Sequence, residues 1–180
     1  RSARFWKIPL IARCGYMWSD FTARRYGDNS KGATHAFKVE SILFKAARQV
    51  IVTTEAMKTD IVGRVDRSQD GITVIPNYVD TDQFSPSEEM RFDAKKIVFI
   101  GRLEPQKNLQ ALLEAIRELD VELTVIGSGS LKNELYKQYG SMSGHVQWVD
   151  NIPHYELPAY LNRSSVFVLP SLYEGHPKTM

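Results

Sequence analysis

The sequence has a single cysteine, Cys14, and no long run of consecutive apolar residues. One cysteine excludes internal disulfide bonds and any zinc site built from several cysteines. A membrane-spanning helix would need about 18 or more consecutive apolar residues. We therefore expect a globular protein in a reducing, cytoplasmic setting, where any contact with a membrane would be peripheral.

The sequence also lacks a recognisable metal site. Its four histidines do not have the spacing of metal ligands: His35, His145, His154 and His176. Asp80 and Asp82 form an Asp-x-Asp pair, but they follow a Pro-Asn turn in a polar linker, where Asp is a common turn residue. We expect neither a bound metal nor a cofactor.

Positive charge is concentrated at the start of the chain, although the net charge is only +2. Residues 1–31 hold seven Arg or Lys and two Asp, whereas the remainder holds 16 basic and 19 acidic residues. Basic residues mixed with aromatic ones are typical of surfaces that meet the phosphates of nucleic acid or anionic lipid. We favour a solvated loop, expect no nucleic-acid partner, and leave peripheral membrane contact open.

Short β-branched runs alternate with amphipathic segments along the chain. An apolar series beginning at Val39 has the i, i+3, i+4 spacing of a helix. Strands are predicted at 9–12, 50–54, 72–75, 96–100, 121–126, 146–149 and 166–169. Strands separated by helices predict βαβ units, parallel sheets and the α/β class. The polar stretch 80–95 predicts a domain boundary that divides residues 1–86 from 87–180.

Polar and glycine residues follow the predicted strands of the second half. The residues of interest are Gly101, Arg102, Lys107, Gly127, Gly129 and Glu174. Ligands of an open parallel sheet bind outside the carboxyl ends of its strands, close to helix N-termini. An arginine fork, a lysine and closely approaching backbone amides all suit phosphate oxygens. The pattern predicts a diphosphate site at one edge of the sheet.

Four segments, in order and with fitting gaps, resemble family 4 of the retaining GT-B glycosyltransferases. They are residues 74–77 (VIPN), 98–107 (VFIGRLEPQK), 125–129 (VIGSG) and 167–177 (FVLPSLYEGHP). The resemblance covers residues 72–180 well and residues 1–71 more loosely. It implies two Rossmann-like domains with parallel sheets, both incomplete here: the later part of the acceptor-side domain in 1–86, and the earlier part of the nucleotide-sugar domain in 87–180.

The resemblance also implies roles for individual residues. Arg102 and Lys107 would hold the donor pyrophosphate and neutralise charge on the leaving nucleoside diphosphate. Glu174 would contact sugar hydroxyls and, with those two cations, form the catalytic group. The donor-binding residues it implies are Gly101, Arg102, Lys107, Gly127, Gly129, Ile152, Glu174, Gly175, His176, Pro177 and Lys178, where Ile152 meets the base and 176–178 offer backbone amides.

The implied activity is transfer of a hexose from a nucleotide-diphospho-sugar to a saccharide or lipid-linked acceptor with retention of configuration, in cell-surface polysaccharide or glycolipid synthesis. The donor is a co-substrate, and the enzyme would lie in the cytoplasm or at the cytoplasmic face of a membrane. A second glutamate of the motif would fall beyond Met180, so we expect a fragment that is inactive alone.

Four alternatives stay open beside this interpretation, three for the function and one for the role of a single residue. The same fold could be a non-catalytic module that binds nucleotides or phosphate. The basic, aromatic segment 1–31 could bind nucleic acid. Gly127-Ser128-Gly129 could open the dinucleotide-binding fingerprint of an oxidoreductase, which is disfavoured because Lys132 stands where the third glycine belongs. His176 could be a general base, although a backbone-amide contact is the interpretation we favour.

Overall fold

The computed structural model describes residues 8–87, 93–142 and 144–177, which form two compact units. The first unit contains residues 8–78 together with 174–177, and the second contains residues 79–173. Lys178 lies outside the described residues. The domain boundary expected between residues 86 and 87 stays a prediction.

The first unit is a three-stranded parallel sheet with helices between its strands, in the order β1-β2-β3. Its elements are β1 (Ile11–Cys14), α1 (Trp18–Tyr26), α2 (Lys31–Ala46), β2 (Gln49–Val52), α3 (Glu55–Val65) and β3 (Ile72–Val74). Ala12 of β1 pairs with Val50 of β2, which pairs with Ile72 of β3, and all three are buried. The strands are short and mostly β-branched, as buried parallel strands usually are.

Local capping explains where two of these helices begin. The Ser30 hydroxyl accepts a hydrogen bond of 3.1 Å from the Ala33 amide at the start of α2. The Thr54 hydroxyl accepts one of 3.2 Å from the Met57 amide at the start of α3. Each side chain satisfies an amide that the helix itself leaves without a partner.

Helix α2 buries a different face from the one that its apolar series suggests. The helix starts eight residues before Val39, at Lys31, and buries Ala33, Ala36, Glu40 and Phe44. The larger apolar residues Val39, Ile42 and Leu43 are exposed, at 41%, 69% and 39%. The sequence pattern therefore predicted the helix correctly but not the face that packs on the sheet.

Buried Glu40 stands on the packed face because it caps the neighbouring helix. Helix α1 follows Met17, whose side chain cannot cap it. The Glu40 carboxylate instead accepts hydrogen bonds from the backbone amides of Trp18 (2.5 Å) and Ser19 (3.2 Å). The Arg64 guanidinium lies 3.8 Å from the same carboxylate. A negative charge at a helix N-terminus is also favoured by the helix dipole.

The second unit is a four-stranded parallel sheet in the order β6-β5-β4-β7. Its elements are β4 (Asp93–Ile100), α4 (Leu109–Ala115), β5 (Glu122–Ile126), α5 (Lys132–Tyr139), β6 (Val146–Val149), α6 (Leu157–Arg163) and β7 (Ser164–Phe167). Phe99, Leu113, Leu123 and Val125 are fully buried in its main core. The α/β class and the parallel sheets are confirmed.

The register brings the carboxyl ends of these strands to one edge. Ile100 pairs with Ile126, Ile126 pairs with Val149, and Val98 pairs with Phe167. The loops that follow β4, β5, β6 and β7 therefore all begin at this edge of the second unit. Among the residues described, every helix is either too short or too polar to span a bilayer.

Removing the Glu40 carboxylate should destabilise the first unit. We expect Glu40→Ala to lower the free energy of unfolding by about 2–4 kcal/mol, because it leaves two buried amides and the Arg64 guanidinium without this acceptor. Urea unfolding followed by tryptophan fluorescence measures the change. Asp28→Ala is the control, since this exposed position should change stability by less than about 0.5 kcal/mol. Equal stabilities of the two variants would contradict the capping role.

Candidate functional site

Two glycines of the second unit are required by the close approach of neighbouring loops. Gly127 has φ +144°, and a Cβ there would lie 2.0 Å from the carbonyl oxygen of Gly101. A Cβ at Gly129 would lie 2.4 Å from the carbonyl oxygen of Leu103. No side chain fits at such distances, and positive φ favours glycine. The sequence predicted these glycines for ligand contact, whereas the structure shows that loop packing alone already requires them.

Backbone hydrogen bonds join the same loops into one rim. The Gly101 amide donates to the carbonyl of Ile126 (3.0 Å), and the Leu103 amide donates to that of Ser128 (2.9 Å). The Gly127 amide donates to the carbonyl of Val149 (3.1 Å), at the end of β6. We call residues 101–107 and 127–130 the glycine rim. Its backbone is fixed by the sheet edge rather than by a ligand.

The two predicted phosphate-binding cations both belong to the glycine rim. Arg102 follows Gly101 directly, and its side chain is exposed. Lys107 ends a single 3₁₀ turn, Pro105–Lys107, and its Cδ lies 3.9 Å from the position a Cβ of Gly101 would take. The structure therefore brings Gly101, Lys107 and Gly127 together beside Arg102. A guanidinium and an ammonium at a strand-end rim can neutralise an anion there.

Side chains hold the loop that carries Lys107 in place. The Glu104 carboxylate accepts hydrogen bonds from the Ser130 amide (3.0 Å) and hydroxyl (2.7 Å). The Gln106 side chain donates to the carbonyl of Tyr173 (2.8 Å), and the Leu172 amide donates to the carbonyl of Gln106 (2.9 Å). The loop after β7 is thus tied to the glycine rim up to Tyr173, the residue before Glu174.

Asn108 precedes α4 without capping it through its side chain. Although asparagine is a favoured capping residue, this side chain makes no capping hydrogen bond. It adopts a left-handed conformation instead, with φ +51°, and closes the 3₁₀ turn by donating from its amide to the carbonyl of Pro105. Asparagine tolerates this conformation better than most residues, which explains its presence.

Ile152, predicted to contact the base, lies in the loop after β6. Its half-buried side chain packs against the small apolar cluster of Val98, Ile100 and Ile126. The aspartate at the start of that loop, Asp150, forms an ion pair with Lys132. This places the loop at the same sheet edge as the glycine rim, while the contact with a base stays a prediction.

Glu174 and Gly175 line a cavity in the first unit, beside the carboxyl ends of β1 and β2. A Cβ on Gly175 would lie 2.5 Å from the carbonyl oxygen of Gly15, so this approach also requires glycine. The cavity has a volume of about 370 Å³. Its other lining residues are Tyr16, Met17, Asp20, Arg24, Thr54, Ala56, Met57 and Asp60.

The charged residues of this cavity were missed by sequence reasoning. Asp20, Arg24 and Asp60 lie on helices and match no motif, so their side-chain chemistry alone gave no signal. A signal was available nonetheless, because Thr54 is the last residue of the predicted strand 50–54 and Tyr16 lies in the loop that follows the predicted strand 9–12. The rule that parallel strands present ligands at their carboxyl ends applies to both units.

His176 is held by two hydrogen bonds to Asn77, which follows β3. The Asn77 backbone amide donates to His176 Nδ1 (3.1 Å), and its side-chain amide donates to the His176 carbonyl (2.5 Å). Arg13 Nη2 lies 3.4 Å from the Asn77 side-chain oxygen, which fixes the orientation of the amide. Because Nδ1 accepts this bond, the geometry favours the tautomer that carries its proton on Nε2. Pro177, half buried, follows in the same segment.

Two other polar features have structural explanations. Burial, with Glu40 nearby, raises the pKa of the Cys14 thiol to about 11, so the thiol is protonated at neutral pH and is a poor nucleophile. The Asp80 side chain accepts from the amides of Asp82 (3.1 Å) and Gln83 (3.3 Å), as an aspartate that builds a turn does. Within the described residues, no group of three or more potential ligands is placed to hold a metal ion.

Comparison with known proteins gives one family and several relatives. The family model for glycosyl transferases group 1 matches residues 80–179. The chain is 33% identical over 129 residues to the UDP-Gal:alpha-D-GlcNAc-diphosphoundecaprenol alpha-1,3-galactosyltransferase of Escherichia coli, covering 59% of this chain and 32% of that protein. It is 27% identical over 193 residues to the GDP-mannose-dependent alpha-(1-6)-phosphatidylinositol monomannoside mannosyltransferase of Mycolicibacterium smegmatis, covering 93% and 48%.

A solved structure shares the fold. HepE from Anabaena, crystallised in complex with UDP and glucose, superposes with a TM-score of 0.75 at 14% identity, over 97% of this chain and 49% of that one. The chain thus spans about a third to a half of the length of the relatives it matches.

The close approach at Gly127 predicts a large cost for any side chain. We expect Gly127→Ala to destabilise the second unit by about 2 kcal/mol or more, since the new Cβ would collide with the Gly101 carbonyl at positive φ. Thermal or urea unfolding measures the change. Gly144→Ala is the matched control, because a Cβ there meets nothing within 4 Å. If both substitutions lower the free energy of unfolding by the same amount, loop packing does not explain why glycine is needed at position 127.

The hydrogen bonds around His176 predict one imidazole tautomer. We expect two-bond ¹H–¹⁵N correlation spectra to show His176 with unprotonated Nδ1 and protonated Nε2, because Nδ1 accepts from a backbone amide. His154 serves as an internal reference in the same spectra. Asn77→Ala removes only the side-chain bond, so the tautomer should persist in that variant. A proton on Nδ1 in the native protein would contradict this geometry.

Proposed function

We propose that this chain, which belongs to the family of glycosyl transferases group 1 and has the GT-B type of α/β fold, carries part of the donor-binding site of a hexosyltransferase. In the proposed reaction, a hexose passes from a nucleotide-diphospho-sugar to a saccharide or lipid-linked acceptor with retention of configuration. The family membership confirms the resemblance to a glycosyltransferase, while retention of configuration is part of the proposal.

The glycine rim is the observation that carries this proposal. Arg102 and Lys107 both belong to this rim at the carboxyl ends of parallel strands, and close loop packing fixes the backbone beside them. A leaving nucleoside diphosphate gains negative charge as the glycosidic bond breaks. Preorganised cations at the place where charge develops lower the barrier most, because they need no rearrangement in the transition state. These two side chains therefore supply the electrostatic stabilisation, and no cofactor is required.

The remaining predicted residues fit around a bound donor. We propose that Ile152 contacts the base through its main chain, that amides from His176 to Lys178 bind phosphate or sugar oxygens, and that Glu174 accepts hydrogen bonds from sugar hydroxyls. The Asn77–His176 hydrogen bonds support this assignment for His176. They engage the imidazole ring in holding the segment in place, so we assign the contact with the donor to the backbone amide. A general base at His176 is correspondingly disfavoured.

The names of the two curated relatives support a lipid-linked acceptor. One is named for a diphosphoundecaprenol-linked sugar and the other for a phosphatidylinositol mannoside. We propose by similarity that this protein also glycosylates a lipid-linked acceptor at the cytoplasmic face of a membrane, in cell-surface polysaccharide or glycolipid synthesis. The relatives differ in the nucleotide of the donor, UDP in one and GDP in the other, so both nucleotides belong in any test.

Donor binding should depend on Arg102. We expect isothermal titration with UDP and GDP to show binding of at least one nucleotide, weakened roughly 10- to 100-fold by Arg102→Ala, because a charge-assisted hydrogen bond contributes about 1.5–3 kcal/mol. Arg117→Ala is the matched control, because it removes the same charge from the same unit. Arg117 lies just after α4 and forms an ion pair with Glu114 of that helix. Arg102 is exposed, so its removal should leave the fold intact.

Two results would contradict the proposed donor site. Binding of neither nucleotide to the native protein would remove the basis for a donor site. Equal affinities of the Arg102→Ala and Arg117→Ala variants would place the phosphates elsewhere. Glu174→Ala, titrated with UDP-hexoses and GDP-hexoses as well as the bare nucleotides, tests the sugar contact, since only the sugar-bearing ligands should lose affinity.

We also propose that the 180-residue chain alone binds donor without transferring sugar. The reason is its extent, which is 32% to 48% of the length of the curated relatives quoted above. The check is a radiolabelled transfer assay with lipid-linked and saccharide acceptors. Sugar transfer by the chain alone would show that its residues suffice for catalysis.

A further inference from the structure

Helix α2 displays an apolar strip that the core of the first unit does not use. Val39, Ile42 and Leu43 lie on its exposed side, and Ile42 is 69% exposed. The buried side of the helix consists of Ala33, Ala36, Glu40 and Phe44, so Phe44 is the large apolar side chain that it buries. Large aliphatic side chains on the outside of a helix, with two alanines and a glutamate on its inside beside Phe44, depart from the usual amphipathic pattern. Any surface that covers Val39, Ile42 and Leu43 must therefore be something other than the sheet.

A row of lysines runs beside this apolar strip. Lys31, Lys38 and Lys45 follow one another at intervals of seven residues, which is close to two helical turns, so all three lie on one exposed side. On a helical wheel these lysines lie next to Ile42 and on the side opposite the buried residues. We call the three lysines with Val39, Ile42 and Leu43 the α2 outer face.

No carboxylate of α2 offsets these lysines on the surface. The acidic residue of the helix, Glu40, is 6% exposed and its carboxylate accepts from the amides of Trp18 and Ser19. The face therefore presents three positive charges although the whole protein carries only +2. Trp18 is 49% exposed, and its ring packs edge to face against that of His35, with 6.4 Å between the ring centroids. It therefore adds an aromatic side chain near the N-terminal part of α2.

We propose that the α2 outer face docks on an anionic lipid surface. Interfacial helices combine an apolar strip, which enters the headgroup region, with lysines that meet lipid phosphates. Both features occur here on one helix of 16 residues. A nucleic acid would satisfy the lysines but would leave the aliphatic side chains in water, so it fits this face less well. The proposal rests on the proposed function only for its reason to approach a membrane, which is a lipid-linked acceptor.

The direct test is binding to vesicles without any nucleotide. Flotation of the protein with phosphatidylcholine vesicles containing about 30% phosphatidylglycerol should recover it with the lipid at low salt, and vesicles of phosphatidylcholine alone should recover far less. The triple variant Lys31→Gln, Lys38→Gln, Lys45→Gln should lose affinity on the order of a hundredfold, since each lysine near an anionic surface contributes about fivefold.

Matched controls separate this face from general charge. Lys58→Gln, Lys95→Gln, Lys137→Gln removes the same three charges elsewhere and should retain most of the binding. Val39→Ser with Ile42→Ser keeps every charge, and should weaken binding at least tenfold because the apolar strip is lost. All substituted residues are exposed or half exposed, and circular dichroism with thermal unfolding confirms that the variants fold.

Several outcomes would overturn the proposal. They are equal recovery with and without phosphatidylglycerol, equal loss in the two triple-lysine variants, and full binding by the serine variant. Binding of a DNA duplex that needs the α2 lysines but ignores Val39 and Ile42 would make nucleic acid the partner instead. Because no nucleotide is present, failure here leaves donor binding at the glycine rim untouched, and failure of donor binding leaves the vesicle result standing.

Discussion

The contact between Gly127 and the carbonyl of Gly101 is the constraint on which the second unit's site depends. Two strand-end loops lie so close that no Cβ fits between them, and the amides of Gly101 and Leu103 complete the junction by hydrogen bonding to the facing loop. The backbone at Arg102 and Lys107 is therefore positioned by loop packing. In the donor site that we propose, cations carried on a fixed backbone would stabilise charge that develops in the reaction.

Each unit presents its chemistry at the carboxyl ends of a parallel sheet. In the second unit these ends carry the basic glycine rim. In the first they border a cavity that contains carboxylates and an arginine, together with Glu174 and Gly175. The two sets of charges suit different ligand groups. The basic rim suits phosphates, and the mixed cavity suits hydroxyl groups, which both donate and accept hydrogen bonds.

Local pattern predicted the strands well because buried parallel strands need continuous β-branched runs. The strand 146–149 was predicted with the bounds that the structure shows, and the others differ by a few residues at their ends. The strand-end rule then located the glycine rim, since the register of a parallel sheet leaves the loops no other edge. Local pattern could not predict which elements contact one another. Glu40 is buried because its carboxylate caps α1, which has no side-chain cap of its own, and the sequence around Glu40 gives no sign of this contact.

The same limit explains the other misses. Asp20 and Asp60 bond with Arg64 and border the first unit's cavity only through tertiary packing. The apolar series of α2 identified a helix but not its buried face, which consists of Ala33, Ala36, Glu40 and Phe44 and leaves Ile42 outside. Local apolarity shows what a helix can bury. The neighbouring elements decide what it does bury.

Amide chemical-shift mapping tests the central claim most directly. In ¹H–¹⁵N spectra of the labelled protein titrated with UDP or GDP, the account predicts the largest perturbations at Gly101, Arg102, Gly127 and Gly129, on the glycine rim. A hollow of about 450 Å³ lies at the opposite, amino-terminal edge of the same sheet, lined by residues that include Lys96, Glu122 and His145. Perturbations concentrated there, with the glycine rim unchanged, would contradict the assignment of the phosphate site.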